Sequence, residues 1–236
     1  MSAKLPALEI VATSGACAQA AAGAGADRIE ACEALELGGI TPSPEVLDDI
    51  LEHRPALGVH ALLRCRPGDF HYDLADVAVM ERQARRLVRA GADGVVLGAL
   101  TADGQLDLQV IGRLAQASLE VNPEVEITIH RAVDASSDPV HAVSQLLALG
   151  VKRVLTSGGS DAAGDGMETI ARMVQQAGTT IQIMSGGGMR VQDIAAAQAA
   201  GVSAVHFSAK TQQAGTIRVS ADHVRELRSA VNALDR

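Results

Sequence analysis

The chain has 236 residues, of which 47% are hydrophobic and 20% are charged, so it can bury a substantial core. Its formal net charge is −8 and its aromatic residues are one Tyr and two Phe, which disfavours nucleic acid as a partner. We see neither a run of roughly 20 apolar residues that would span a membrane nor a secretory signal pattern. Cys17, Cys32 and Cys65 are an odd, widely spaced set typical of free thiols, so we expect a cytoplasmic protein with no membrane partner.

Short β-branched segments alternate with longer segments of helical period, which predicts successive βα units. The predicted strands are 7–11, 26–32, 58–64, 93–98, 125–130, 151–156, 180–184 and 203–207, and the C-terminal segment "ADHVRELRSAVNALDR" is predicted to be the closing helix. Eight such strands in a chain near the roughly 250 residues of a typical α/β barrel favour one domain, a TIM (β/α)8 barrel over residues 1–236. A flat doubly wound sheet is the alternative.

A faint internal repeat supports this count. The segments "GAGADRIE", "RAGADGVV", "ALGVKRVL" and "AAGVSAVH" each end a predicted helix with glycine and begin an even-numbered strand. Gly25, Gly91, Gly150 and Gly201 are therefore predicted to end helices, where a left-handed backbone suits a residue without Cβ. Four βαβα units then make an eight-stranded parallel sheet.

Polar residues occupy the inward-facing positions of several predicted strands. Barrel interiors are usually packed with Val, Ile and Leu, and strand side chains alternate between the two faces. The residues predicted to face inward are Glu9, Arg28, Glu30, Cys32, His60, Arg64, Thr128, His130, Thr156, Gln182, Met184, His206 and Ser208. They form either a buried ion-pair layer or a functional site, and the high cost of desolvating each ion favours a site.

The proton-carrying candidates in this set are Glu9, Glu30, His130 and His206, whose pKa values burial could tune for general acid–base chemistry. Lysine is scarce, and among Lys4, Lys152 and Lys210 only the last is placed to reach the carboxyl ends of the strands. A Schiff-base mechanism is therefore disfavoured.

Two glycine turns, "TSGG" after strand six and "SGGG" after strand seven, are typical of loops that bring backbone N–H groups to an anion. The second turn fits barrel phosphate sites better. The predicted anion-binding residues are Arg64, Arg66, Ser185, Gly186, Gly187 and Gly188, with Asp69, Arg131 and Asp134 at the rim. Phe70, Tyr72 and Phe207 lie near the same predicted face, which indicates ligand packing.

Five segments in chain order resemble the CutC family of copper homeostasis proteins. They are "DRIEACEALELGGITPS", "RCRPGDFHYD", "TIHRAVD", "RVLTSGG" and "IMSGGGM", and together they span nearly the whole chain. The resemblance implies a TIM barrel and a role in cytoplasmic copper handling, with copper binding through cysteines proposed for some members.

The chain departs from that family at the expected copper ligands. Many relatives carry a cysteine directly after "LEI" in the first strand, where this chain has Val11, so a two-cysteine site with Cys32 cannot form. Cys65 and Pro67 also replace other residues of the family's arginine- and glycine-rich loop. Cys32 remains the candidate metal ligand.

Three hypotheses follow from the sequence. The first is a copper homeostasis protein that binds Cu(I) at Cys32, since Cu(I) prefers thiolate and thioether ligands. The second is a barrel enzyme that uses acid–base chemistry on a small anionic substrate, phosphorylated or sugar-like. The third is a scaffold or regulatory barrel without turnover. The expected partner is a copper ion or a small anion, no organic cofactor is indicated, and a homo-oligomer is expected.

Overall fold

The computed structural model describes residues 5–213 and 216–235, which form a closed barrel of eight parallel strands. The strands are β1 (Ala7–Ala12), β2 (Arg28–Ala31), β3 (Val59–Leu62), β4 (Gly94–Leu97), β5 (Glu126–Ile129), β6 (Arg153–Thr156), β7 (Gln182–Gly186) and β8 (Ala204–Phe207). Each strand pairs with the next, and β8 pairs with β1. The predicted TIM (β/α)8 barrel is confirmed, and the alternative of an open sheet is wrong.

Helices surround the barrel and connect its strands. They are α1 (Gly15–Gly23), α2 (Pro44–Leu51), α3 (Leu74–Ala90), α4 (Leu108–Leu119), α5 (Pro139–Leu146), α6 (Met167–Ala177), α7 (Ile194–Ala199) and α8 (Ala221–Asn232). Asp73 and Asp107 cap α3 and α4 by accepting a hydrogen bond from a first-turn backbone N–H. Gly91 ends α3 with φ of 105°, as predicted for a helix-ending glycine. Across the described ranges, no helix has the length and apolar character required to cross a membrane.

The main hydrophobic core lies between the barrel and its helices. Leu8 and Ile10 point outward from β1 and are completely buried, and they share one continuous cluster with Leu87 of α3 and Leu114 of α4. Each large aliphatic side chain buried in this way contributes about 1.5–3 kcal/mol. Because Leu8 and Ile10 point outward, Glu9 between them points into the barrel.

A layer of charged residues fills the barrel interior at the amino ends of the strands, and we call it the lower ionic layer: Arg28, His60, Glu126, Arg153 and Gln182. Arg153 Nη2 donates to Glu126 Oε2 at 2.9 Å and to Gln182 Oε1 at 2.7 Å. His60 Nε2 lies 3.7 Å from Glu126 Oε2. The buried Arg153 guanidinium therefore binds a half-buried carboxylate and an amide oxygen here.

The predicted parity of the sixth strand is wrong. Leu155 packs in the interior with Met184, so Arg153 also faces inward and Thr156 faces the helices. The Thr156 hydroxyl contacts Met173 Sδ of α6 at 3.6 Å, which agrees with an outward position. The sequence expectation missed Arg153 because it assigned the inward position to Thr156.

A two-stranded antiparallel hairpin follows β8 and was not predicted. It consists of β9 (Lys210–Gln213) and β10 (Thr216–Val219), and it precedes α8. Strand β9 is polar throughout, and in β10 only Ile217 and Val219 are apolar, alternating with polar residues. The hairpin begins at the carboxyl ends of the strands and places Lys210 beside the cavity described below.

Candidate functional site

A cavity of about 550 Å³ opens at the carboxyl ends of the barrel strands. Its wall includes Glu30 from β2, Arg64 after β3, His130 and Arg131 after β5, and His206 from β8. Apolar contributions come from Val11, Leu62, Phe70, Leu155 and Phe207. The cavity therefore combines an apolar wall with a few convergent polar groups, as small-molecule sites do.

A chain of ionisable groups, joined by two hydrogen bonds and one longer contact, forms the floor of this cavity. Arg28 Nη1 donates to Glu9 Oε2 at 3.1 Å, and Glu9 Oε1 lies 2.7 Å from His206 Nδ1. His206 Nε2 lies 4.0 Å from Glu30 Oε2. Glu9 is buried beneath the cavity, whereas Glu30 and His206 line it. Strand pairing fixes this geometry, since Glu9 is in register with both Arg28 and His206.

Electrostatics give the three titratable groups different protonation states. Burial would raise the pKa of Glu9, but the hydrogen bond and charge of His206, with the charge of Arg28, hold it well below its ordinary range. Burial raises the pKa of Glu30 to about 7. Burial would lower the pKa of His206, but its hydrogen bond to Glu9 and the charges of both carboxylates raise it. The ionised Glu9 thus favours the protonated form of the His206 imidazole, which lies beside a carboxyl group that titrates near neutrality.

His130 lines the opposite part of the cavity wall in a fixed orientation. Its Nδ1 accepts a hydrogen bond from the backbone N–H of Ala132 at 3.1 Å. The ring of Phe70 lies 4.8 Å from the imidazole, centroid to centroid. His130 Nε2 is buried and has no hydrogen-bond partner among the described residues. Burial, assisted by the charge of Arg64, lowers the pKa of His130 to about 3.

Arg131 presents its guanidinium at the rim, where the side chain is 41% exposed. Its Nε donates to Asp134 Oδ2 and its Nη2 to Ser157 Oγ, both at 2.9 Å. A Cβ added at Gly187 would lie 2.7 Å from Arg131 Cζ, so only glycine leaves room for this guanidinium. Asp134 has a 7% exposed side chain and also accepts the N–H of Gly159 at 3.1 Å. It is therefore a buried anchor for Arg131 and the "TSGG" loop rather than an open rim residue.

Three histidines of the barrel interior each face a glycine on a neighbouring strand. A Cβ at Gly94 would overlap the ring of His60, and one at Gly98 would lie 2.7 Å from His130 Cε1. A Cβ at Gly186 would lie 2.8 Å from His206 Cβ. Strand pairing sets these neighbours, as His60 is in register with Gly94 and Gly186 with His206. The glycines make the space that the imidazoles occupy.

Comparison with known proteins identifies the family. The CutC family model matches residues 7–211. The chain is 42% identical over 216 residues to a family protein CutC from Xanthomonas campestris pv. campestris (strain B100), which covers 92% of this chain and 88% of the relative. The chain belongs to the CutC family.

Two further relatives agree with this membership. A family protein CutC from Vibrio cholerae serotype O1 (strain M66-2) is 39% identical over 188 residues, covering 79% of this chain and 73% of the relative. A crystal structure assigned as a copper homeostasis protein CutC from Streptococcus agalactiae superposes with a TM-score of 0.79 at 29% identity. The superposition covers 86% of this chain and 99% of that one.

Cys32, the predicted metal ligand of this CutC-family chain, faces the barrel interior but lies in an apolar cluster with Val11, Leu62 and Val96. The thiol is buried, and burial together with the charge of Glu30 raises its pKa well above the ordinary value. It is not among the residues that line the cavity. A neutral thiol in these surroundings behaves as a small hydrophobic side chain.

Several predicted anion-binding residues lie elsewhere. Arg66 pairs with Asp76 at 2.9 Å and with Asp69 at 3.1 Å, and neither Arg66 nor Asp69 lines the cavity. Asp69 is 61% exposed on the loop that follows β3. Ser185 faces the helix layer, since its neighbour Met184 packs in the interior. These positions do not agree with a direct role in anion binding.

The remaining predicted groups do converge on the cavity. Glu30, His130, His206, Gly187 and Gly188 all line it, and Gly186 packs directly against His206. Arg64 also lines it, but its guanidinium donates to the carbonyl oxygens of Gly39 and Gly68 at 2.8 and 2.6 Å and so ties two loops together. The importance of Arg131 was underestimated, because its contact with Gly187 joins two loops that are distant in sequence.

Proposed function

We propose that this CutC-family protein is a barrel enzyme that binds a small anionic molecule at the carboxyl ends of its strands and transfers protons on it. The observation that carries this proposal is the chain Arg28–Glu9–His206–Glu30 at the floor of an open cavity. Glu9 keeps His206 protonated, and Glu30 accepts and releases a proton near neutral pH. A paired acid and base of this kind is what general acid–base catalysis requires.

The anionic character of the substrate is supported by the charges at the rim. Arg131 and Lys210 line the cavity next to the backbone of Gly187 and Gly188. Arg131 is held in place by Asp134 and Ser157, so its remaining N–H groups are preorganised for a carboxylate or a phosphate. The anion site is thus proposed around Arg131 rather than around Arg66.

Thermal and chemical denaturation in the presence of defined anions tests this proposal. Inorganic phosphate, 2-phosphoglycolate, oxalate and glucose 6-phosphate would be added to the wild type, to Arg131→Ala and to Arg66→Ala. A ligand at 100 times its Kd stabilises the folded state by about 2.7 kcal/mol. We expect such stabilisation in the wild type and in Arg66→Ala and its loss in Arg131→Ala. Absence of stabilisation by any of these anions would contradict the proposal.

Copper handling is the second candidate function, and a specific arrangement favours it. Ligand atoms of Glu9, Glu30 and His206 lie within 4.8 Å of one another, close enough to hold a metal ion. Oxygen and imidazole donors suit Cu(II) better than Cu(I), which prefers sulfur. The isolated and apolar position of Cys32 does not fit a Cu(I) site. The copper candidate is therefore this carboxylate and imidazole group, with the copper ion as cargo.

A chelator competition tests copper handling and distinguishes the carboxylate and imidazole site from the Cys32 site. Reduced protein would compete anaerobically with a chromophoric Cu(I) chelator, and oxidised copper would be titrated separately, for the wild type, Cys32→Ser and His206→Gln. Cu(II) binding that is lost in His206→Gln and retained in Cys32→Ser supports the copper candidate. Cu(I) binding that is lost in Cys32→Ser would restore the cysteine site expected from the sequence.

The free state of Cys17, Cys32 and Cys65 supports a cytoplasmic location. A homo-oligomer remains a prediction, which light scattering would test.

A further inference from the structure

The side chain of His130 is fixed in one tautomer by its own backbone. The N–H of Ala132 donates to His130 Nδ1 at 3.1 Å. A ring nitrogen that accepts a hydrogen bond carries no proton, so the proton of the neutral imidazole is on Nε2. His130 therefore offers a single N–H donor, at Nε2.

That donor has no acceptor in the described part of the chain. His130 Nε2 is buried and without a hydrogen-bond partner among the described residues, while the side chain lines the cavity. A buried polar group left without a partner loses its hydration without gaining a hydrogen bond in return, which is unfavourable. Such a group in a cavity wall indicates that an acceptor binds there.

The surroundings of the ring prevent it from turning to another partner. Gly98 on the neighbouring strand leaves space for the imidazole but not for a side chain, since an added Cβ would lie 2.7 Å from Cε1. Phe70 packs against the other part of the ring at 4.8 Å between centroids. Arg64, which lies 5.2 Å from the centre of the Phe70 ring, is tied to loop carbonyls and contributes a positive charge nearby. That charge and burial keep the imidazole neutral.

We propose that His130 is a neutral hydrogen-bond donor to the carbonyl oxygen of the substrate, which is a small anionic aldehyde or ketone with a removable proton on the adjacent carbon. This inference rests on the proposed function and deepens it by naming the substrate class. A neutral imidazole matches the acidity of an enol better than an imidazolium does, and barrel isomerases use one in this way. Phe70, which packs against the His130 ring, gives this part of the cavity wall an apolar surface.

The proposed step is redox-neutral. The Glu30 carboxylate removes the proton from the carbon next to the carbonyl, and the C–H electron pair forms a carbon–carbon double bond. The carbonyl π electrons move onto oxygen, where the Nε2–H of His130 stabilises the developing negative charge. Return of the proton from Glu30 to the same carbon regenerates the ketone with exchanged hydrogen. Where that carbon bears a hydroxyl group, transfer of the hydroxyl proton to the enolate oxygen and of the Glu30 proton to the former carbonyl carbon completes an isomerisation. No co-reactant is required.

Hydrogen exchange tests this step without knowledge of the full reaction. Dihydroxyacetone phosphate, xylulose 5-phosphate, hydroxypyruvate and 2-oxoglutarate would be incubated with the protein in D2O, and loss of the C–H signal beside the carbonyl would be followed by proton NMR above the protein-free rate. The variants are His130→Phe, which lacks the donor, His130→Gln, which keeps an N–H donor, and the exposed control His141→Gln. Glu30→Gln purified in the same way controls for contaminating isomerases.

We expect exchange of at least one ketone by the wild type and by His141→Gln. His130→Phe should lower the rate by about 10²–10³, the usual effect of removing one such donor, and His130→Gln should restore part of it. Unchanged exchange in a folded His130→Phe, or no exchange of any of the four ketones, would overturn the proposal. If anions still stabilise the protein through Arg131 in that case, the proposed function survives and only the carbonyl inference fails.

A second measurement needs no variant and no substrate. Long-range proton–nitrogen spectra of the histidine rings report the tautomer directly. We expect His130 to show a protonated Nε2, an unprotonated Nδ1 and no titration between pH 5 and 8. A proton on Nδ1, or titration within that range, would overturn the assignment of His130 as a neutral donor.

Discussion

The two ends of the barrel interior use the same kinds of residue differently. At the amino ends of the strands, each cation of the lower ionic layer lies against an acceptor of the protein, as Arg153 does against Glu126 and Gln182. At the carboxyl ends, Glu30 lies 4.0 Å from His206 and His130 Nε2 has no partner in the described chain. Cavities of about 550 and 620 Å³ open at the upper and lower ends, so volume alone does not separate them.

Buried nitrogens without a partner among the described residues occur at both ends, Arg28 Nε, His60 Nδ1 and Arg153 Nε below and His130 Nε2 above, so the two ends differ in how closely their ions pair. The buried ion-pair layer and the functional site, which the sequence offered as alternatives, are both consistent with the structure, one above the other. Glu9 belongs to both, since it accepts from Arg28 below and bonds to His206 above. The comparison teaches that buried charge indicates a site where a charged group faces a cavity without a close ion pair, as Glu30 does at 4.0 Å from His206.

The largest effect on chemistry is expected at the upper end. Glu30→Gln should lower the rate of ketone hydrogen exchange by about 10²–10⁴, the usual contribution of a general base. The free energy of unfolding at pH 7.5 should not fall, because burial already disfavours the charged form of Glu30. NMR exchange rates and urea denaturation measure the two quantities. Asp69→Asn on the exposed loop is the control. An equal loss of activity in Asp69→Asn would contradict the special role assigned to the carboxyl ends of the strands.

The largest effect on stability is expected at the lower end. Arg153→Met leaves Glu126 and Gln182 without their donor, and removing one partner of a buried pair costs roughly 3–5 kcal/mol. Because Glu126 is 36% exposed, we expect the lower part of this range or somewhat less. Urea denaturation gives the value, with the exposed Arg225→Met as control. Anion stabilisation through Arg131 should be retained, and its loss would show that the two ends are not independent.

Acid should destabilise the folded protein through its buried histidines. Burial lowers the pKa of both His60 and His130 to about 3, so below pH 6.5 the unfolded chain binds two protons that the folded chain does not. Burial raises the pKa of Glu30 to about 7, which adds one proton to the folded chain between pH 7 and 4.5. The net difference is one proton, so stability should fall by about 1 kcal/mol per pH unit from pH 6.5 to 4.5.

Variants sharpen this pH dependence. Urea denaturation at pH 6.5, 5.5 and 4.8 should show a nearly flat profile for His60→Gln, which removes one of the two opposing histidines. Glu30→Gln should steepen the profile to about twice the wild-type slope, because the compensating carboxyl is gone. A wild-type stability that is constant over this range, with unchanged slopes in both variants, would contradict the assigned protonation states.

The smallest effect is expected at Cys32. Cys32→Ala removes one sulfur atom from the apolar cluster with Val11 and Leu62 and should cost about 1 kcal/mol. Ketone exchange and Cu(II) binding should be unchanged, since the thiol does not line the cavity. Denaturation and titration measure these quantities, with Cys17→Ala as the matched control. A large loss of metal binding in Cys32→Ala alone would show that the thiol is a ligand.

The sequence predicted the barrel well because the βα alternation and the helix-ending glycines are local signals. The alternation of β1 also placed Glu9 correctly inside the barrel, beside His206 and Arg28. Strand six was misassigned because either parity put a polar residue inside, and only the packing of Leu155 with Met184 decides between them. The hairpin at Lys210 was missed because β9 is polar and the β-branched residues of β10 span only four positions.

The details of the candidate site depended on contacts between distant segments. Arg66 and Arg131 look equivalent in sequence, but one is committed to Asp69 and Asp76 while the other lies on Gly187. The tautomer of His130 depends on one backbone N–H two residues later, which no pattern of residue types reveals. Sequence therefore gave the right chemical groups for the cavity but not their partners.

The close packing of barrel histidines against glycines limits how this sequence can change in evolution. A mutation from Gly98 to alanine removes no functional group, yet it would displace the His130 ring as surely as a change of the histidine itself. The same holds for Gly94 with His60. Descendants of this gene should therefore keep or lose each glycine and its histidine together, so that the history of these imidazoles is recorded in residues that carry no functional side chain.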